Sequence, residues 1–227
     1  MAATNRRNGA GEAGDTPLVA VVVVILTVVD DDLCVLLIKR GADPYGGFWA
    51  LPGGVLAPGE TLDAAAVRKL LDETGVADVY LEQLYTFGEL PRGDQSRRGI
   101  AVTYFALIQH DQARLRQDSE WQPAWHSAYH LPRLAFDNNV VVEYAVRRLR
   151  SKLEYTNVAY SLLPRQFTLS QLQQVYEAIL DREMDKRNFR RRMLSLGLIK
   201  PSGTKRMEGA HRPAELYTFA RREPVVI

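Results

Sequence analysis

Apolar positions along this chain fall into two regimes. Between Leu18 and Gln109 they come as short, dense runs separated by polar turns. Leu18 to Val29 is nearly unbroken Val, Leu and Ile, and its β-branched content predicts a buried strand. Asp30-Asp31-Asp32 predicts a turn, and Leu33 to Lys39 a returning strand that ends in Arg40. Tyr80 to Leu90 and Gly99 to Gln109 are strand-like and flank the polar loop Pro91 to Arg98. Glu120 to His126 predicts a further strand or edge segment. Two stretches carry helical spacing instead. Thr61 to Thr74 runs without Gly or Pro from the Pro58-Gly59 turn until Gly75 stops it. Leu131 to Asp137 opens a second helix, with Asp137 as N-cap, through Val140 to about Arg150. Strands and helices alternate without a βαβ dinucleotide pattern, so residues 17–150 are expected to form a mixed α/β/α sandwich.

Beyond Arg150 the pattern changes. A short helix is expected over Glu154 to Ser161, a break at Pro164, and a helix from Thr168 to Leu180 with Thr168 or Ser170 as N-cap. A second helix follows over Asp185 to Leu196, and two helices across a short turn are the helix-turn-helix signature. Setting Phe189, Met193 and Leu196 on its core face puts Arg187 and Arg191 nearly opposite. Asn188 and Arg190 flank them, and Lys186 and Arg192 lie near the core edge. An apolar strand at Leu198-Ile199-Lys200, a Gly-rich basic loop, and an alternating strand at Glu215 to Phe219 then predict a wing. Residues 151–227 are therefore assigned to a second domain, and residues 1–16, small and polar, to a disordered leader.

Composition narrows the class. One cysteine, Cys34, excludes an intrachain disulfide and, with no secretory leader pattern, points to a reducing cytoplasm. The apolar run at Leu18 falls short of a bilayer span by about eight residues, so no membrane partner is expected. The net charge of +2 hides an asymmetry. Residues 151–227 carry fourteen Lys/Arg against eight Asp/Glu, a balance of +6; the first 150 carry fifteen and nineteen, a balance of −4. A basic C-terminal third on an acidic body is the outline of a nucleic-acid-binding module joined to something else. In that third, Arg187, Arg190 and Arg191 suit guanine edges or phosphates and Asn188 adenine, with Lys186 beside them. Lys205, Arg206, His211 and Arg212 in the wing suit backbone phosphates or a minor groove, and Thr168 and Ser170 at the helix start join the DNA-binding set.

The body carries its own candidates. At about 100° per residue, Lys69, Asp72 and Glu73 share one face of the first helix, with Glu60 in the loop before it. Arg40, at a strand end facing a Gly-rich loop, suits a phosphate as a bidentate donor. Phe48, Trp49 and Phe87 can stack on an adenine or fill the core. Gly53 and Gly54 allow close backbone approach. Lys69 can pair with Glu73 or reach a diphosphate. His110, His126, His130 and His211 show no metal-ligand spacing.

The stretch Gly54 to Val76 resembles the Nudix box: Gly54, Glu60, Arg68, Leu70, Glu73, Gly75 and Val76 match its pattern. Lys69 and Asp72 stand where the pattern has helical glutamates. A Nudix-like body followed by a winged helix with Lys-Arg-Asn-Phe-Arg-Arg and a Gly-Ala-His-Arg-Pro-Ala-Glu-Leu-Tyr wing resembles, over residues 18–219, the Nudix-related transcriptional regulators of the NrtR type. The resemblance implies a Nudix-type α/β/α sandwich followed by a winged helix-turn-helix. It also implies a dimeric bacterial repressor of NAD-metabolism genes that binds an inverted-repeat operator in double-stranded DNA and releases it on binding ADP-ribose. The effector would lie among Arg40, Phe48, Trp49, Gly53, Gly54, Glu60, Lys69, Glu73 and Phe87. In active Nudix enzymes the box carboxylates hold divalent metal ions; Lys69 among them implies a sensor with negligible hydrolysis and no required cofactor. Asp72 and Glu73 leave a residual Mg²⁺, and with it an ADP-ribose pyrophosphatase, as a competing reading. A regulator of the same architecture answering to a sugar metabolite is another.

Overall fold

A computed structural model of the chain describes residues 17–75, 77, 80–88, 99–115, 121–207 and 213–226. The leader, Val76, His211 and Arg212 lie outside the described residues. The body is built on β1 (Leu18–Val29), β2 (Asp32–Arg40), β3 (Trp49–Ala50), β4 (Gly53–Val55), α1 (Leu62–Thr74), β5 (Tyr80–Phe87), β6 (Gly99–Leu107), β7 (Trp121–Ser127) and α2 (Asn138–Tyr155). Next come β8 (Phe167–Thr168), α3 (Leu169–Leu180), α4 (Lys186–Ser195), β9 (Ile199–Arg206) and β10 (Ala214–Phe219).

The first seven strands make one mixed sheet in the order β3-β2-β1-β6-β5, with β4 on β1 and β7 on β2. β6 runs parallel along one edge of β1, from Leu18↔Gly99 to Leu26↔Leu107. The other edge of β1 changes partner midway. Leu26 to Val29 pair with Val35 to Asp32 of β2, whereas Ala20 to Val22 pair with Val55 to Gly53 of β4. The sheet forks there, and β2 goes on to pair with β7 and β3. β1 reads as a continuous apolar run because both its faces are covered. Val22, Val24 and Leu26 belong to the core under α2; Val21, Val23 and Ile25 pack on Ala65, Ala66 and Leu70 of α1.

The core on the α2 side does not end with the body. It continues without interruption into Phe167, Leu172, Val175, Phe189, Met193, Ile199, Tyr217 and Phe219. The winged-helix part, closed by the antiparallel sheet β8-β10-β9, is thus packed onto the body rather than tethered to it.

Several expectations change. The second helix does not stop at Arg150, and no separate helix covers Glu154 to Ser161. α2 is one helix of 18 residues reaching Tyr155, followed by a 3-10 turn at Val158–Leu162. The reason is Lys152, a charged residue 7% exposed that lies on the buried stripe with Leu149 and Leu153. Its ammonium is satisfied by Glu82 of β5, Nζ to Oε2 2.7 Å. The expected boundary at 150/151 therefore falls inside α2. Asp137 occupies the N-cap position but sits in the left-handed region (φ 52), as does Phe136 (φ 56), and its side chain makes no cap bond. The next two side chains fasten the helix start instead. Asn138 Oδ1 accepts from the Leu51 N–H at 2.9 Å and Asn139 Oδ1 from the Leu134 N–H at 2.8 Å. β5 ends at Phe87 and β6 at Leu107, shorter than the apolar runs that predict them. Among the described residues no helix is long and apolar enough to cross a membrane.

Candidate functional site

α1 begins where Thr61 Oγ1 accepts from the Ala64 N–H at 3.2 Å and ends at Gly75, left-handed at φ 66. That conformation is why glycine stands at the stop. Glu60, in the loop before the helix, meets Arg68 on it through two bonds, Nε to Oε1 2.7 Å and Nη2 to Oε2 2.9 Å. The Ala57 N–H donates to Glu60 Oε2 at 3.2 Å, which folds the loop over the helix start. The guanidinium bonds hold the Glu60 carboxyl below the usual carboxylate range.

The three helical charges do not share one environment. Glu73 is buried, 2% exposed; Asp72 is exposed and 3.9 Å from Arg68 Nη1. Lys69 is half-buried and runs beneath β4. A Cβ placed on Gly54 would lie 3.2 Å from Lys69 Cε and 3.4 Å from Nζ. On Gly53, facing the other side, a Cβ would stand 2.9 Å from the Val21 carbonyl oxygen. Gly53 thus lets β4 close on β1, and Gly54 leaves room for the ammonium. The fold implies a divalent metal at this helix, but the residues do not fit one. Glu60 is bonded to Arg68 through both carboxylate oxygens, and Lys69 brings a cation into the cluster.

On the α2 side of the fork lies an aromatic group. Arg40 Nε donates to the Pro44 carbonyl at 2.9 Å, and its guanidinium stands 4.8 Å over the Phe136 ring. Tyr45 meets Phe136 edge-on at 4.7 Å and Phe48 at 6.1 Å, and Phe48 is 42% exposed. Trp49 is half-buried, its ring 4.5 Å from that of His126. Burial lowers the His126 pKa, and His126 Nε2 is buried without a hydrogen-bond partner among the described residues. Phe87 is not part of this group. It stands on β5, at the opposite end of the strand order from β3, packed edge-on against Tyr85 (5.1 Å) and Tyr144 (5.9 Å). Tyr45 and Phe136 join the site although 91 positions apart in the chain, a distance at which no local pattern signals contact. Of the other histidines, His110 and His130 are exposed.

The second candidate surface is α4. Asp185 caps it, its carboxylate accepting from the Asn188 N–H at 2.8 Å. Phe189 and Met193 are each 2% exposed and anchor the helix to the core. Lys186, Arg187, Asn188, Arg190, Arg191 and Arg192 are all exposed. Arg191 Nη2 donates to Asn188 Oδ1 at 3.0 Å. No salt bridge among the described residues neutralises an α4 cation. Beside it β9 and β10 form the wing, with Lys205 and Arg206 exposed on β9. Ser170 is exposed in the first turn of α3. Thr168 is not: it is 5% exposed, and its hydroxyl accepts from the Gln171 N–H at 3.1 Å while Gln171 Oε1 accepts from the Thr168 N–H at 2.8 Å. That reciprocal capping box assigns Thr168 to the helix start rather than to a phosphate.

Comparison with known proteins gives the same two parts. Residues 16–145 match the NUDIX domain family, and residues 159–219 match the family described as the NrtR DNA-binding winged helix domain. The chain is 39% identical over 211 residues to the ADPR responsive transcriptional repressor NtrR of Acinetobacter baylyi, covering 90% of this chain and 83% of that protein. Its structure is similar to that of Shewanella oneidensis NrtR complexed with a 27mer DNA, with TM-score 0.77 and 35% identity over 88% of this chain and 93% of the other. The NUDIX domain of Shewanella oneidensis NrtR complexed with ADP ribose matches at TM-score 0.51 and 34% identity, over 59% of this chain and 88% of that one.

Proposed function

The chain belongs to the NrtR family of Nudix-related regulators, and from that premise we propose that it is a DNA-binding transcriptional repressor of NAD-metabolism genes that releases DNA on binding ADP-ribose. The carrying observation is the pairing of two surfaces in one chain. α4 turns outward a row of cations that no salt bridge among the described residues neutralises, while Phe189 and Met193 anchor it to the core. The box helix has the frame of a diphosphate site but replaces a metal-binding carboxylate with Lys69. An ammonium attracts a diphosphate without activating a water, so the ligand is bound and not consumed. The α4 arginines read base edges in a major groove, and the wing cations hold phosphates. The working unit is a homodimer on an inverted repeat, since two-fold symmetry in the protein is mirrored in half-sites. Its place of action is the bacterial cytoplasm.

ADP-ribose reduces DNA affinity only by binding one arrangement of the protein better than the DNA-bound one. The test is a titration of ADP-ribose into a complex of the protein with labelled duplex selected by it from a random pool. Release with the ligand recovered intact is expected; a complex that persists at saturating ADP-ribose overturns the reading. Exposed Asp72 keeps a pyrophosphatase as the second reading, and turnover of ADP-ribose with Mg²⁺ or Mn²⁺ at the rate of active Nudix enzymes would establish it.

A further inference from the structure

The first helix of the DNA-binding pair is capped partly by its own domain and partly by the body. A helix leaves its last carbonyls without partners inside it. In α3, the Asp181 and Arg182 N–H groups both return to the Glu177 carbonyl. The Ala178 and Ile179 carbonyls are satisfied from the body instead. The Tyr129 hydroxyl lies 2.7 Å from each, its single proton shared between them, and Arg150 Nε donates to the Ile179 carbonyl at 2.9 Å. Tyr129 follows β7, and Arg150 belongs to α2. The Arg150 guanidinium lies 5.2 Å over the Tyr129 ring, so each holds the other in place.

What these bonds grip leads straight to the recognition helix. Glu177, just ahead of the capped carbonyls, fixes the turn between α3 and α4. Its Oε1 accepts from the Met184 N–H at 2.7 Å and from Gln173 Nε2 at 2.9 Å, and Gln173 Nε2 also donates to the Met184 carbonyl at 2.8 Å. A shift at Ala178 and Ile179 is therefore passed within one helical turn to the residue that precedes Asp185, the cap of α4. In the other direction, α2 reaches the ligand side. Its first residue, Asn138, holds the Leu51 N–H between Trp49 and Gly53, and the preceding Phe136 lies under Arg40. The C-terminal half of this rod is fixed to β5 through Lys152, Arg148 and Glu82.

We infer that Tyr129 and Arg150 are the positioning residues through which the ligand-binding body sets the placement of the helix-turn-helix, their bonds to the α3 carbonyls changing with ligand occupancy. The inference rests on the effector reading above and adds the contact that conveys it. The test compares the full-length wild type with Tyr129→Phe, which deletes the hydroxyl and keeps the ring, and Arg150→Lys. DNA affinity is measured by anisotropy on the selected duplex, without ADP-ribose and at saturation. The factor by which ADP-ribose weakens DNA binding should shrink at least fivefold in Tyr129→Phe. Its ADP-ribose affinity without DNA should stay within twofold of wild type, which a general loss of structure would not allow. Hydrogen exchange of the amides of residues 181–186 in the wild type should speed up on adding ADP-ribose, and this measurement carries the test if a variant does not fold. An undiminished response in both variants, or amides indifferent to ADP-ribose while DNA is released, overturns the inference alone. A wild type that ignores ADP-ribose overturns the effector reading, and the inference with it.

Discussion

Arg68 clasps Glu60 across the mouth of the box, both carboxylate oxygens bonded to one guanidinium at 2.7 and 2.9 Å. The pair ties the loop before α1 to the second turn of the helix and leaves Glu60 little capacity to hold anything else. Of the other charges on this helix face, Lys69 runs half-buried under β4 and Asp72 is exposed. The relationship separates two tasks that a row of carboxylates could otherwise share: shaping the loop and meeting a ligand.

Freeing Glu60 should be visible in its titration. Its folded pKa is lowered chiefly by the Arg68 hydrogen bonds. The stabilisation it lends is thus present above the ordinary value of 4.5 and is lost as pH falls through the lower folded one. In Arg68→Gln, carbon-detected NMR of labelled glutamate should place Glu60 back near 4.5. A titration unchanged from wild type would mean that the clasp does not form in solution.

Lys69 should contribute binding rather than chemistry. Charge-assisted bonds to a phosphate are worth roughly 1.5–3 kcal/mol, so Lys69→Ala should weaken ADP-ribose about ten- to a hundredfold by calorimetry. Lys69→Glu should weaken it further, by setting a carboxylate against a diphosphate. Wild-type affinity in both variants would remove Lys69 from the site.

The exposed face of α4 makes a separable claim. Arg187→Ala and Arg191→Ala should each cost about 1–3 kcal/mol of DNA affinity, with relaxed preference at one operator position if the side chain reads a base. Lys205→Ala should weaken all duplexes alike and lower the salt slope by about 1. A uniform loss for Arg191→Ala would instead make it a phosphate contact, with Asn188 as its support.

How much of this is legible in the sequence depends on the range of the interaction. The start and stop of α1 are written locally, in Thr61 and Gly75, and the frame of the box with Lys69 inside it is readable residue by residue. The burial of Phe189 and Met193 follows from their spacing, which also fixes the outward face of α4. Periodicity says which face is buried and is silent about what covers it. A buried lysine breaks the period altogether, which is why α2 reads as ending near Arg150 when Lys152 carries it to Tyr155. The Tyr129 bonds to α3 span 49 and 50 positions, and nothing near Tyr129 in the chain announces them. The same holds for Asp137, whose composition suits a cap while its backbone turns left-handed.

His126 supplies a pH dependence of known sign. Burial lowers its folded pKa below the ordinary 6.5, so the unfolded chain binds the proton first. Stability should be full above 6.5 and fall as pH drops from there toward the folded value. Denaturant unfolding at pH 7.5 and 5.5 should show the loss, accompanied by a change in Trp49 fluorescence, since the two rings are 4.5 Å apart. His126→Asn should flatten the dependence between those values; a slope equal to wild type would assign it to other groups.

The Lys152–Glu82 pair tests whether α2 is bound to the sheet by charge or by packing. Glu82 accepts from Lys152 and from the Tyr80 hydroxyl, with Arg148 Nη2 at 3.4 Å. Burial raises its pKa, and the bonds from Lys152 and Tyr80 outweigh that, leaving the group below its ordinary value. Glu82 keeps 30% of its side chain exposed while Lys152 keeps 9%, so removing either partner is not symmetric. Lys152→Met leaves a carboxylate that water and Arg148 still reach, and should cost about 1–2 kcal/mol, near the lower range for a bond to a charged group. Glu82→Leu strands a buried ammonium, and should cost about 3 kcal/mol or more. The double variant replaces both charges with apolar volume and should recover most of that loss, because a buried pair is often no more stabilising than the hydrophobic residues that replace it. Unfolding midpoints of the four proteins close the cycle. Additive losses would show that α2 is held by its apolar stripe alone and that Lys152 and Glu82 do not act as a pair.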